Sequence, residues 1–248
     1  MRSELSQALP SQFRPGLRPS RFSPGARLER NKRYLQIAFN GSLDSALSII
    51  PRLPRDERIL VEAGTPLVKE FGASAISEIK GAWGGYVVAD LKSSDGGAIE
   101  AAMAGRAGAN GVTVLGSAPI ETVERFIVAC ESLGVDSMVD MLGVADPLGV
   151  LRPLVRHAPS VVILHRGRDE ESTRGKVIGY RHVKRVKSKF DVLISAAGGV
   201  DLKEAQSASF NGADIVVVNV VEPGQQWAGL SSGDDVGELA VKFLESID

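Results

Sequence analysis

Short apolar segments rich in β-branched residues recur along this chain from residue 34 onward, and a longer, partly polar stretch follows each one. Their starts lie roughly 23 to 30 residues apart, which suits a strand followed by a helix. The segments predicted as strands are Tyr34–Phe39, Arg58–Val61, Tyr86–Ala89, Val112–Leu115, Ser137–Val139, Val161–Leu164, Val192–Ser195 and Ile215–Val218. The pattern therefore predicts eight repeated strand–helix units.

Helical periodicity fills the intervals between these strands. Apolar residues recur with a period near 3.6 in two clear groups, which are Ile99, Ala102, Met103 and Ala107, and Val123, Phe126, Ile127 and Cys130. Eight units with nearly continuous apolar strands predict an α/β fold, a closed parallel (β/α)8 TIM barrel, with a doubly wound open sheet as the alternative. The glycine-rich segment 81–85 precedes a strand instead of following one, so it does not fit a dinucleotide-binding fingerprint.

The first 33 residues differ in composition from the rest of the chain. They hold eight Lys or Arg and two Glu, a net charge of +6, whereas the whole chain has a formal net charge of −1, which leaves −7 on residues 34–248. Four prolines and the lack of a sustained period predict a basic, irregular extension (1–33) before a single barrel domain (34–248). The extension suits a targeting peptide, an arm for RNA, acidic lipid or an acidic partner, or a segment that wraps its own barrel or a neighbouring subunit, and we favour the last.

Composition also restricts the compartment. No apolar run approaches the roughly 18 residues of a membrane span. Cys130 is the single cysteine, which excludes an internal disulfide and a multi-cysteine metal site, and its helical setting predicts a core position. We therefore expect a soluble, cytoplasmic protein.

The segment richest in chemistry follows the third predicted strand. Asp90 ends an apolar run, Lys92 comes two residues later, and Asp95 follows three residues after that. Since residues i and i+2 of an extended strand point to the same side, Asp90 and Lys92 are predicted to project together. Such a charge pair can hold a metal, stabilise an enediolate or move a proton, although a surface ion pair is the plain alternative.

Polar residues also end the other predicted strands. In a parallel barrel the carboxyl ends of the strands build the active site, so these residues are expected to converge. They are Asn40, Glu62, Asp90 with Lys92, Gly116-Ser117, Asp140, His165, Gly198-Gly199 and Asn219. Acidic groups, one lysine and one histidine on one face indicate catalysis.

The acidic residues of this set predict the type of metal. Glu62, Asp90 and Asp140 offer the hard oxygen ligands that Mg²⁺ prefers, and His and Cys are too few for a zinc site. The remaining histidines, His157 and His182, have no comparable setting and are expected at the surface.

Residues near the sixth and seventh strand ends suit an anionic substrate. His165 is followed by Arg166 and Arg168. The backbone N–H groups of Gly198-Gly199 allow the close approach of a phosphate, and a simple tight turn is the alternative.

Taken together, these motifs resemble the orotidine 5′-phosphate decarboxylase suprafamily, most of all its 3-hexulose-6-phosphate synthase branch and also 3-keto-L-gulonate-6-phosphate decarboxylase. The resemblance spans about residues 34–218. The matching segments are Leu35–Ala38, Val61–Leu67, Ala89–Gly97, Asp140–Val144, Asp146-Pro147, His165–Gly167 and Ala197–Val200.

The resemblance implies a Mg²⁺-assisted homodimer that adds formaldehyde to ribulose 5-phosphate through an enediolate. By this resemblance Glu62 and Asp90 would hold Mg²⁺, and Lys92 and Asp140 would contact substrate oxygens. Asp95 would reach into the partner subunit's site.

The same resemblance makes His165 the acid/base, with Arg168 aiding it. Substrate and phosphate would contact the four residues Asn40, Gly198, Gly199 and Asn219.

Two departures from the family pattern concern the substrate. The family usually ends strand one in Asp, where this chain has Asn40, which cannot act as a base. It usually ends strand eight in Gly-Arg, where this chain has Asn219-Val220 and then Glu222. We therefore expect weaker phosphate binding than in typical relatives, with a replacement cation among Arg166, Arg168, Arg174 and the arginines of the extension. A related decarboxylase or epimerase acting on another substrate and a non-catalytic binding protein are the alternative functions.

Overall fold

Eight parallel strands close into a barrel in the computed structural model, which describes residues 28–171, 177–225 and 227–248. The strands neighbour one another in chain order, and the first pairs with the eighth to close the sheet. They are β1 (Tyr34–Phe39), β2 (Ile59–Ala63), β3 (Val87–Ser93), β4 (Gly111–Leu115), β5 (Asp136–Asp140), β6 (Val161–His165), β7 (Leu193–Ala197) and β8 (Ile215–Val221). A short β9 (Leu230–Ser231) pairs with the end of β8. The predicted (β/α)8 barrel is confirmed.

Helices connect the strands around the outside. They are α1 (Leu43–Ile49), α2 (Thr65–Phe71), α3 (Ala73–Trp83), α4 (Gly97–Arg106), α5 (Ile120–Leu133), α6 (Pro147–Leu151), α7 (Arg168–Glu171), α8 (Val183–Lys187), α9 (Leu202–Phe210) and α10 (Val236–Ser246). Ser42, Asp201 and Asp235 cap the starts of α1, α9 and α10 by accepting hydrogen bonds from backbone N–H groups of the first turn. No helix in these ranges is long and apolar enough to cross a membrane.

The apolar core forms two layers, one inside the barrel and one between the sheet and the helices. The predicted inward face of α5, which includes Phe126 and Cys130, is fully buried in the outer layer. The residues of α4 that fit the helical period are not all buried, since Ile99 is 63% exposed. Helix α4 packs so closely on α5 that a Cβ at Gly97 would lie 3.0 Å from the Cβ of Phe126, and α4 therefore buries glycine and alanine residues instead.

Residues 28–33 of the predicted extension contact the amino end of the barrel. The Leu28 N–H and the Tyr86 hydroxyl both donate to Oδ2 of the buried Asp136, at 3.1 and 2.7 Å. Arg33 donates to the Ile247 carbonyl at 2.8 Å. Residues 1–27 lie outside the described residues.

Candidate active site

A cavity of about 290 Å³ opens at the carboxyl ends of the barrel strands. It brings together nine of the residues predicted for the site, which are Asn40, Glu62, Asp90, Lys92, Asp140, His165, Arg168, Gly198 and Asn219. Asp95 and Gly199 do not line it. Most of the candidate residues therefore line one cavity, as the barrel topology predicted.

Strand β3 carries Asp90 and Lys92 inside its own length, not beyond its end. Its pairing with β4 jumps from Ala89 opposite Val112 to Ser93 opposite Val114, so β3 bulges between them. Lys92 has a φ of +48°, the one positive value among non-glycine residues in the described part of the chain. Such a conformation costs about 1–3 kcal/mol and is typical of functional sites. The pair does project together, as predicted, but through a bulge and not through a regular extended strand.

Asp90 is the centre of a buried hydrogen-bond network. Its carboxylate contacts the Lys92 ammonium and accepts hydrogen bonds from Thr65 Oγ1 at 2.6 Å and Thr113 Oγ1 at 2.8 Å. Burial alone would raise the pKa of Asp90, but the Lys92 charge and these hydrogen bonds hold the pKa below its ordinary value. Asp90 is therefore ionised at neutral pH.

Lys92 lies among carboxylates. Its Nζ contacts the Asp90 carboxylate and also lies 3.5 Å from Asp140 Oδ2. Burial would lower the pKa of Lys92, but the charges of Asp90, Asp140 and Glu62 raise it above the ordinary value. The side chain is consequently a fixed ammonium that faces the cavity.

Asp140 joins Lys92 to His165. Its Oδ2 is 2.8 Å from His165 Nδ1, and its Oδ1 accepts the Leu142 N–H at 2.9 Å. Burial would lower the pKa of His165, but the Asp140 carboxylate raises it above the ordinary value. A proton on Nδ1 donated to Asp140 leaves Nε2 as the nitrogen suited to proton transfer.

Glu62 is a buried carboxylate of the cavity. It accepts a hydrogen bond from the Gln36 amide, whose Oε1 is buried and finds no hydrogen-bond partner among the described residues. Burial, followed by the charge of Asp90, raises the pKa of Glu62 to about 7. A cation beside Glu62 and Asp90 would favour the ionised form of Glu62 and would meet hard oxygen donors, which fits Mg²⁺. In the described ranges no group of three or more His, Cys, Asp or Glu side chains has a metal-binding arrangement, so only two carboxylates would serve such an ion.

The Gly198-Gly199 turn after β7 is held by Arg166. Its guanidinium Nη2 donates to the carbonyl oxygens of Gly198 and Gly199, at 2.9 and 3.2 Å. Gly198 has a φ of +107°, and a Cβ there would strike the Arg166 carbonyl oxygen, so only glycine fits. Arg166 therefore positions the turn.

The ends of β1 and β8 are joined by two amides in this structure. Asn40 Nδ2 donates to Asn219 Oδ1 at 3.0 Å. Arg168 lines the cavity near this end and stacks over Trp227, with Cζ 5.2 Å from the ring centroid. Of the predicted replacement cations, Arg168 reaches the cavity, whereas Arg174 lies outside the described residues.

The chain is similar in sequence to proteins of one known family. The model of the orotidine 5′-phosphate decarboxylase / HUMPS family matches residues 33–219. The chain belongs to this family. The bifunctional enzyme Fae/Hps of Methanosarcina mazei is 36% identical over 217 residues, which cover 87% of this chain and 53% of that protein. The chain thus spans about half the length of the curated relatives it matches.

Solved structures of the same family superpose on the barrel. A 3-hexulose-6-phosphate synthase from Salmonella typhimurium has a TM-score of 0.76 at 27% identity, and covers 86% of this chain and 98% of its own. Another 3-hexulose-6-phosphate synthase structure has a TM-score of 0.74 at 29% identity, and covers 87% and 100%. The family resemblance predicted from the motifs is confirmed.

Asp95, by contrast, does not line this cavity. It is exposed at the turn before α4, where its Oδ1 accepts the Gly96 N–H at 2.8 Å. This placement leaves the predicted contact with a partner subunit as a prediction.

Sequence reasoning missed four polar side chains of the cavity, which are Gln36, Thr113, Thr65 and Glu171. Gln36 interrupts the apolar run of β1 and Thr113 interrupts that of β4, and both point into the barrel. Thr65 lies within the segment Val61–Leu67 that carries the family resemblance, but it was assigned no role. A polar residue inside a buried strand was the available signal for the first two.

The expectation of a surface position for His182 is wrong. The residue is only 7% exposed, because it packs beside Gly179 and receives a hydrogen bond from Arg181 Nε at 3.2 Å. Burial, followed by the charges of Arg181 and Arg185, lowers the pKa of His182.

Proposed function

We propose that this family member is a carbon–carbon lyase that adds formaldehyde to ribulose 5-phosphate by an aldol reaction through an enediolate. The observation that supports it most is the continuous array from Asp90 through Lys92 and Asp140 to His165 on one wall of the cavity. An ammonium beside a general base is the arrangement that enediolate formation requires. The 3-hexulose-6-phosphate synthase structures that superpose on the barrel support this choice of reaction.

In this proposal His165 moves the proton and Lys92 stabilises the charge. Nε2 of His165 takes a proton from C1 of the ketose, and the electron pair left behind forms the enediolate. The Lys92 ammonium stabilises the negative charge on its oxygen. C1 then attacks the formaldehyde carbon, and the proton on His165 returns to the new alkoxide, so that atoms and charge balance.

Mg²⁺ is proposed as the cofactor. Glu62 and Asp90 would hold it, with water and substrate oxygens as its other ligands. When bound, it would supply further stabilisation of negative charge on the substrate oxygens.

Two assays test the reaction together. The protein with Mg²⁺, ribulose 5-phosphate and formaldehyde is expected to consume formaldehyde and form a hexulose 6-phosphate. With ribulose 5-phosphate alone in D₂O, proton NMR is expected to show deuterium entering C1. Exchange without formaldehyde consumption would instead favour a decarboxylase or epimerase, and the absence of both would favour a non-catalytic protein.

A homodimer is proposed for the active form, with Asp95 reaching the partner's site. Asp95→Asn is expected to lower kcat about a hundredfold without changing the sedimentation of the dimer, because one charged contact to the neighbouring site is lost. Asp169 on α7 is also an exposed acidic residue, so Asp169→Asn is the control and is expected to retain the wild-type kcat. A monomer that turns over normally would contradict both parts of the prediction.

A further inference from the structure

We propose that Glu171 is a specificity-determining residue, whose carboxylate competes with the anionic end of the substrate for the Gly199 N–H. The inference deepens the proposed function, since it assumes that the cavity receives a phosphorylated ketose. In this proposal the Glu171 carboxylate weakens the binding of phosphate, and so sets the affinity of the cavity for a phosphorylated substrate.

The geometry places Glu171 where an incoming anion would bind. Glu171 lines the cavity beside Gly198. Gly199 has a φ of +62°, and a Cβ built there would lie 3.0 Å from Glu171 Oε2, so the carboxylate lies directly against the glycine. Backbone N–H groups of glycine turns are common donors to phosphate, and here the chain supplies its own anion to one of them.

The charges around Glu171 are those of an anion site. Burial raises the pKa of Glu171, while Arg166, Arg168, His165 and the hydrogen bond from the Gly199 N–H all favour its ionised form. Because a phosphate dianion would use the same surroundings, it must displace this carboxylate or bind beside it against repulsion.

A second carboxylate, Glu222, directly follows β8, and its surroundings differ from those of Glu171. Its carboxylate oxygens accept hydrogen bonds from Ser45 Oγ at 2.7 Å and Ser232 Oγ at 2.8 Å, and these bonds lower the pKa of Glu222. It lines a smaller side cavity and not the main one. Glu222 therefore faces a neighbouring cavity with both oxygens hydrogen-bonded, whereas the Glu171 carboxylate lies in the main cavity against Gly199.

Calorimetric titration of the full chain with inorganic phosphate tests the inference without any turnover. Glu171→Gln is expected to bind phosphate about tenfold more tightly than the wild type, which corresponds to about 1.4 kcal/mol. Asp169→Asn removes the same charge from an exposed position on the same helix and is expected to leave the affinity unchanged. Equal tightening in both variants, or none in Glu171→Gln, would overturn the proposal.

Steady-state kinetics provide the second measurement. Glu171→Gln is expected to lower KM for ribulose 5-phosphate by a larger factor than KM for unphosphorylated ribulose, because only the phosphorylated ketose competes with the carboxylate. Tighter phosphate binding without any ketose chemistry would retain the inference and refute the proposed function. Normal turnover with an unchanged phosphate affinity would refute the inference alone.

Discussion

Replacing Lys92 with alanine is expected to lower kcat by about a thousandfold, or roughly 4 kcal/mol of barrier. The ammonium is fixed among Asp90, Asp140 and Glu62, so it stabilises negative charge on a substrate oxygen without first having to be ordered. Asp90→Asn is expected to have an effect of the same size, because the neutral amide no longer holds the Lys92 ammonium in place.

Stopped assays of formaldehyde consumption by the purified variants measure this effect. Lys69→Ala, an exposed lysine on the neighbouring helix α2, is the matched control and is expected to retain the wild-type rate. Urea unfolding monitored by circular dichroism checks that each variant is folded, since breaking a largely buried ion pair also destabilises a protein by about 3–5 kcal/mol. A folded Lys92→Ala protein with a near-normal rate would refute the role of Lys92.

The strand positions were predictable because each barrel strand is buried on both faces and therefore reads as an apolar run. The ends of the strands were not. Hydrogen bonding continues past the apolar residues, so that Glu62 and Lys92, which apolarity alone places outside the strands, lie within β2 and β3.

Several parts of the site depend on contacts that local sequence does not specify. The left-handed conformation of Lys92 is compatible with the bulge against β4 and with the hydrogen bond from its N–H to Thr113 Oγ1 at 2.9 Å. The use of Arg166 to position the Gly198-Gly199 turn likewise depends on the side-by-side arrangement of β6 and β7. Topology predicted that these residues would meet, but it could not predict which partner each one takes.

A different limit applies to α4. Ile99 fits the helical period of this helix and is nevertheless 63% exposed, whereas the face that packs closely on α5 buries glycine and alanine residues. Apolar periodicity finds a helix, but the distance between two helices decides which side chains are buried.

The pH dependence of the reaction is expected to follow His165. As a general base His165 must be neutral, so kcat/KM should fall as the pH drops through its pKa, which Asp140 raises above the ordinary value. Asp140→Asn removes the negative charge 2.8 Å from Nδ1 and is expected to move this acidic limb to lower pH. The same change should lower kcat, because an amide N–H pointing at Nδ1 favours the tautomer whose proton is on Nε2.

His165→Gln is the stronger form of this test and is expected to lower kcat by about 10² to 10⁴. His157→Gln serves as the control, because His157 is partly exposed and lies 3.5 Å from Glu131, apart from the cavity. Rates of C1 deuterium exchange measured between pH 5 and pH 9 would separate the possibilities. An acidic limb that keeps its position in Asp140→Asn would assign the titration to another group of the cavity, Glu62 above all, since burial raises the pKa of its carboxyl to about 7. A limb that moves to lower pH in Asp140→Asn and stays in place in His157→Gln would identify His165 as the base.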